Sequence, residues 1–486
     1  MAAGRRLPGW AIGLSIFGSY LSSNSFLGIP GKAFGSNWNA FAFSLSIPIA
    51  VLIGVKYFIP FFRKTGEISA YHHLEHRFGG WARTYGVIFF VLTHIARAGT
   101  ILFGVSLALY AMLGWDIRLI ILVSGIAITC YTLLGGIEAV IWTDVVQSLI
   151  LMIGAGAVLF LLFFGVDGGG MEAISYAWER DKFSMGSLDL DFTTATFWVT
   201  LIFGIFINLK NFGIDQTYVQ RYQTASSQKE AEKALLIGGL VYVPISFVLF
   251  IIGSLLFSYY QNHPQYLQEV QLQVMEARQP DLTGAALQQQ AIQLTDADIG
   301  DKVFPHFIVN FLPIGFTGLL IAAISAAAMS SIDSSLNSSS TVFLTDIYKR
   351  YFRPAASEKE SMRVLHISTL FLGVISITLA LSLIKIESVL DTWWQMEGIL
   401  TSGMLGLFLL GLISRKAKSP AAAAGLIIGL TVVAWMTLSP KIAALPSYLQ
   451  SPLHAHMIIV IGTMTILLIG IGLGRLANKN TPPTSD

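Results

Sequence analysis

The stretch "AMSSIDSSLNSSST", residues 328–341, sets seven serines, a threonine, an asparagine and an aspartate into an otherwise apolar run. In a helix, Ser330, Asp333, Ser334, Asn337, Ser338 and Thr341 share one stripe. Hydroxyls and carboxylates are the ligands of hard cations, so the stripe has the chemistry of a cation site. A charge near a bilayer centre costs roughly 2.5–3.5 kcal/mol on insertion scales, and Asp333 needs a partner or a purpose. Two further apolar runs are interrupted. "IFGSYLSSNSFLGIP" carries Gly18, Ser19, Tyr20, Ser22, Ser23, Asn24 and Ser25, and "FINLKNFGIDQTYVQRY" carries Asn208, Lys210, Asn211 and Gly213. Arg97, in "VLTHIARAGTILF", is a guanidinium within an apolar run, suited to bidentate pairing with a carboxylate.

The elements that must position these residues are membrane helices. Of 486 residues, 54% are hydrophobic and 12% charged, where soluble domains carry about 25% charged residues. The net charge of +2 points to no nucleic-acid or acidic-protein partner, and the single Cys130 supports no disulfide framework. Runs of about 20 apolar residues can cross a bilayer. The sequence predicts twelve, near 9–29, 38–62, 84–113, 117–138, 142–165, 193–219, 233–260, 304–345, 362–384, 391–413, 419–438 and 455–474. The eighth is long enough to include a short helix before Pro313. Lys and Arg collect in alternate loops, among them Arg5, Arg6, Arg63, Lys64, Arg77, Arg221, Lys349, Arg350, Arg415 and Lys418. The positive-inside rule then puts both termini in the cytoplasm. The tail at 475–486 reads as disordered.

Backbone that leaves helical geometry in a membrane must line a cavity or be buried in protein. Interruptions at corresponding places in two halves of a transporter point to its binding site. The first and sixth spans are five apart, which suits two inverted repeats of five helices, 9–165 and 193–413, followed by two peripheral helices at 419–474. Serine and glycine that merely permit close helix packing are the alternative.

The motifs "LPGWAIGLSIFGSYLSSNSFLGIPGKAF", "YFIPFFRKTGEISAYHHLEHRFG", "LLGGIEAVIWTDVVQSL", "DQTYVQRY" and "SSIDSSLNSSSTVFLTDIY" occur in this order over nearly the whole chain. In these the sequence resembles the sodium/solute symporter family, and within it the bacterial sodium–sialic acid symporters. The resemblance implies an all-α polytopic fold with a leucine-transporter-like five-plus-five core whose first and sixth helices are broken. The family usually has a further helix ahead of the core, and this sequence opens on the core helix itself.

The resemblance also implies sites. A shared sodium site falls on the carbonyls of Gly18, Leu21 and Ala327 and the hydroxyls of Ser330 and Ser331. A second cation site falls on Asp144, Ser330, Asp333 and Ser334, where Asp333 replaces a serine and would face Asp144 across the ion. The substrate carboxylate is assigned to Arg97, with Ser22, Ser23 and Ser25 from the unwound first helix, Ser44 in place of a sugar-contacting glutamine, and Asn208 on the sixth. Lys210 reads either as a second positive contact for an acidic substrate or as a partner of Asp215, five positions on. Trp393, Trp394 and Gln395 are candidates to cover the site.

The function expected is sodium-coupled import of an acidic sugar, sialic acid first, in a bacterial inner membrane, with lipid, sodium and sugar as partners and no obligate protein partner. Neutral sugars, polyols and monocarboxylates are the alternative substrates, and Arg97 discriminates against the neutral ones. An intramembrane aspartyl protease using Asp144 and Asp333 lacks the Gly-x-Gly-Asp surroundings such a dyad needs. A solute sensor would carry a signalling domain after the core.

Overall fold

The computed structural model describes residues 7–65, 69–133, 137–165, 169–279, 281–384, 386, 388–442 and 444–479. Arg5, Arg6, residues 134–136 of one motif and the tail from 480 onward lie outside the described residues. The chain folds into helices in the order α1 (Gly9–Tyr20), α2 (Ser23–Gly35), α3 (Phe41–Ile53), α4 (Ile59–Thr65), α5 (His72–Phe78), α6 (Gly80–Leu113), α7 (Ile117–Thr132) and α8 (Ile137–Gly165). Next come α9 (Gly170–Trp178), α10 (Phe197–Ile214), α11 (Gln216–Thr224), α12 (Gln228–Asn262), α13 (Pro264–Arg278), α14 (Gly284–Ala291), α15 (Asp296–Phe311) and α16 (Ile314–Val342). The last four are α17 (Glu358–Ser382), α18 (Val389–Ile413), α19 (Ser419–Leu438) and α20 (Met457–Lys479). Among the described residues the one β feature is an isolated bridge between Leu7 and Ala225.

Ten helical stretches among the described residues are long and apolar enough to cross a membrane. The fourth expected span is the shorter apolar helix α7, and the first is divided between α1 and α2. The long eighth run resolves into α15 and α16, separated at Leu312–Pro313, and a wider-wound extension carries the eighth helix on to Phe352. Apolar side chains of α8 and α17 point outward, Phe164 being 68% and Phe371 65% exposed, as a lipid-facing surface requires. The tail differs from expectation at its start. Residues 475–479 continue α20.

The first span breaks at Leu21 (φ −80°, ψ 69°) and Ser22 (φ −67°, ψ 167°), as the polar run suggests. The sixth breaks later than expected. Asn208, Lys210, Asn211 and Gly213 all stay helical in α10, and the chain turns out at Asp215 (φ −75°, ψ 116°). Asp215 stops one helix and caps the next, its carboxylate accepting from the Thr217 amide at 2.9 Å. α1 packs on α8 and α12, α10 on α3 and α18, and α16 on α6 and α8, so both breaks and the serine stripe meet inside the bundle.

Candidate binding cavity and cation sites

A cavity with about 710 Å³ of empty space, open mouth included, opens at the first break. Ser22, Ser25, Ser44 and Arg97 are on its wall, with Tyr20, Asn24, Asn211, Tyr218, Trp393, Trp394 and Glu397. Arg97 Nη2 donates to the Ser19 carbonyl at 2.5 Å, one of the terminal carbonyls that the end of α1 releases from helical bonding. The guanidinium is thereby held against the unwound backbone. Among the described residues no carboxylate lies within 4.0 Å of it. Ser44 shares a hydrogen bond with Ser246 at 2.7 Å.

Three expected contacts are placed elsewhere. Ser23 is fully buried and off the wall. Asn208 lies one layer back, accepting from the Tyr20 hydroxyl and donating to Ser46 Oγ at 2.9 Å. Lys210 is also off the wall and already paired. Its Nζ is 2.7 Å from Glu397 Oε1 on α18 and 3.5 Å from Asp215 Oδ2, and all three side chains are nearly dry. The Asp215 contact is possible across five positions because α10 ends between the two residues. Asp215 also lies 3.4 Å from His94 Nε2. Gln395 is off the wall, whereas Trp393 and Trp394 are on it.

The serine stripe separates into engaged and unengaged oxygens. Ser330 Oγ donates to Asp144 Oδ1. Asp144 Oδ2 accepts from Ser15 Oγ at 2.6 Å and from Arg221 Nη2 at 3.0 Å. Arg221 is 1% exposed and also donates to Ser19 Oγ at 2.6 Å, Ser15 Oγ at 2.9 Å and the Thr217 carbonyl at 2.8 Å. Asp144 is therefore already neutralised by an arginine that loop-counting assigned to the cytoplasmic surface. Ser331 Oγ, Asp333 Oδ1 and Ser334 Oγ are buried without a protein partner. Unpaired buried oxygens are costly, and a hard cation satisfies such a set. Asp333 has Thr132 beside it, and among the described residues no Lys, Arg or His nitrogen lies within 4.0 Å of its carboxylate. At Gly18 a Cβ would come within 2.4 Å of Ser148 Oγ and 3.3 Å of the Asp144 carbonyl, so glycine is what lets α1 approach α8.

A model of the sodium:solute symporter family matches residues 1–429. The chain belongs to the sodium:solute symporter family. Among its family relatives, the sodium/sialic acid symporter SiaT of Proteus mirabilis is 36% identical over 96% of this chain and 87% of its own. The sodium/sialic acid symporter NanT of Aliivibrio fischeri is 32% identical over 96% and 86%. A solved substrate-bound, outward-open Na+-coupled sialic acid symporter, described as revealing a novel Na+ site, superposes with TM-score 0.81 at 35% identity, covering 98% of this chain and 91% of that one. The nucleobase-cation symporter Mhp1 in a closed conformation superposes with TM-score 0.59 at 13% identity over 100% and 96%, a likeness of fold. The architecture is thus the leucine-transporter-like fold of sodium-coupled symporters.

Proposed function

We propose that this protein is a sodium symporter importing an acidic sugar, with N-acetylneuraminate as its substrate. The observation that carries the reading is Arg97: a guanidinium on a cavity wall, anchored through Ser19 to the backbone at the break, with no carboxylate within 4.0 Å among the described residues. The names of the sialic acid symporters support the choice of sugar. In this reading Arg97 takes the substrate carboxylate, Ser22 and Ser25 take sugar hydroxyls, and the positive N-terminus of α2 adds its dipole. Sodium takes the carbonyls of Gly18, Leu21 and Ala327 with Ser330 and Ser331, and a second cation takes Asp333 and Ser334 near Asp144.

Coupling follows from the shared break. Ion and substrate each favour the backbone that departs from the helix at Leu21–Ser22, so binding of one prepays the ordering needed by the other. Residues 9–165 and 193–413 are the two repeats, rocking of one helix bundle within them exposes ion and substrate to the inside, 419–474 are peripheral, and both termini are cytoplasmic. The protein moves its substrate and leaves it chemically unchanged.

A second reading, a neutral sugar or polyol, is favoured by one observation. Arg97 and Lys210 are balanced by Asp215 and Glu397 in the same buried region, so Arg97 does not by itself demand an anionic solute. Uptake of labelled N-acetylneuraminate into proteoliposomes tests the proposal. Uptake that requires an inward sodium gradient and is lost in Arg97→Ala is the expected result. No uptake under a verified gradient overturns the sialic acid assignment.

A further inference from the structure

α18 presents one face to the cavity, with Leu390, Trp393, Trp394 and Glu397 at helical spacing. Glu397 is the one charged residue on that face, and its carboxylate grips Lys210 at 2.7 Å with side-chain exposures of 4% and 3%. Lys210 is behind the wall and Arg97 is on it. The buried Lys and Arg of this region, Lys210 and Arg97, are matched one for one by Glu397 and Asp215. A bound monoanion then adds one negative charge, which one sodium ion balances. A dianion adds a second, beside Glu397, with no cation left to receive it.

We propose that Glu397 sets the charge count of the cavity: by holding Lys210 it leaves Arg97 as the cation available to substrate and restricts the site to solutes with one carboxylate. This rests on the acidic-sugar reading and deepens it from substrate class to charge selectivity. Like charges forced together in a water-poor site cost enough to dominate discrimination. Releasing Lys210 by removing Glu397's charge therefore opens a place for a second carboxylate.

The test compares binding of N-acetylneuraminate with that of its derivative oxidised to a carboxylate at the terminal carbon, by calorimetry on purified protein in sodium. Wild type is measured first. Failure to bind N-acetylneuraminate sinks the substrate assignment itself, whereas equal binding of both ligands sinks only the role of Glu397. The expected wild-type preference for the monoanion is about tenfold or more. Glu397→Gln is expected to bring the two affinities within about threefold of each other. Lys210→Met with Glu397→Gln removes one charge of each sign and is expected to restore the preference. The proposal is overturned if Glu397→Gln keeps the full preference, or if the double variant accepts both ligands alike. If neither variant binds the monoanion, Glu397 is a structural tie and the proposal also fails.

Discussion

Arg221→Met is the most informative perturbation of the bundle. The wild-type guanidinium makes four hydrogen bonds, to Ser15, Ser19, Thr217 and Asp144, tying α1, α8 and α11 together. At 3.0 Å and an effective dielectric of about 20, its attraction to Asp144 is roughly 5 kcal/mol before desolvation is subtracted. Both side chains are 1% exposed, so Met at 221 leaves a dry carboxylate without a cation. Removing one partner of such a pair costs about 3–5 kcal/mol, whereas removing both is far milder. Asp144→Asn alone should be similarly destabilising, and Asp144→Asn with Arg221→Met should recover much of the loss. Unfolding of the four proteins by SDS in mixed micelles measures the cycle. Strictly additive losses, or a change below about 1 kcal/mol for Arg221→Met, would refute the pairing as the source of stability.

Two other perturbations address the proposed sodium region and the ion-pair cluster around Glu75. Gly18→Ala drives a Cβ to 2.4 Å from Ser148 Oγ, which must leave its 3.1 Å bond to the Leu14 carbonyl. The expected loss is about 1 kcal/mol, with weaker sodium protection in thermal melts; adding Ser148→Ala should relieve the contact, and no relief would point to the nearby Asp144 backbone instead. Away from the cavity, Glu75 bridges Arg350 and Arg83, the latter at 2.6 Å, and Arg83 also pairs with Asp346. Hydrogen bonding from Arg350 above all lowers the Glu75 carboxyl from its ordinary 4.5 to about 2. A lowered folded value means the stabilisation is complete above about pH 4.5 and disappears as pH falls toward 2. Glu75→Gln should thus lower the melting temperature at pH 7, with the gap from wild type closing over that window; a gap independent of pH would refute it.

Much of the site was legible because its signals are local. A polar run in a bilayer-length apolar segment must line or bury itself, which marked the first break, the serine stripe and Arg97. The sixth break was misplaced for a physical reason. Asn208 and Lys210 read in isolation as polar interruptions of a membrane span, but partners on α1, α3 and α18 satisfy them within the helix. Asp215 breaks the chain by capping the helix that follows it.

The sequence by itself determined the class of protein, the approximate spans, the family and the residue types of the candidate sites, because hydropathy, motif order and residue type are properties of the chain. Only the tertiary structure decided which charges are taken. Arg221 and Glu397 appear in sequence as a loop arginine and one acidic residue beside two tryptophans. Packing makes the first the partner of Asp144 and the second the partner of Lys210. An ion pair between separate helices depends on distances of a few ångströms across the bundle, and no local pattern in the chain encodes those distances.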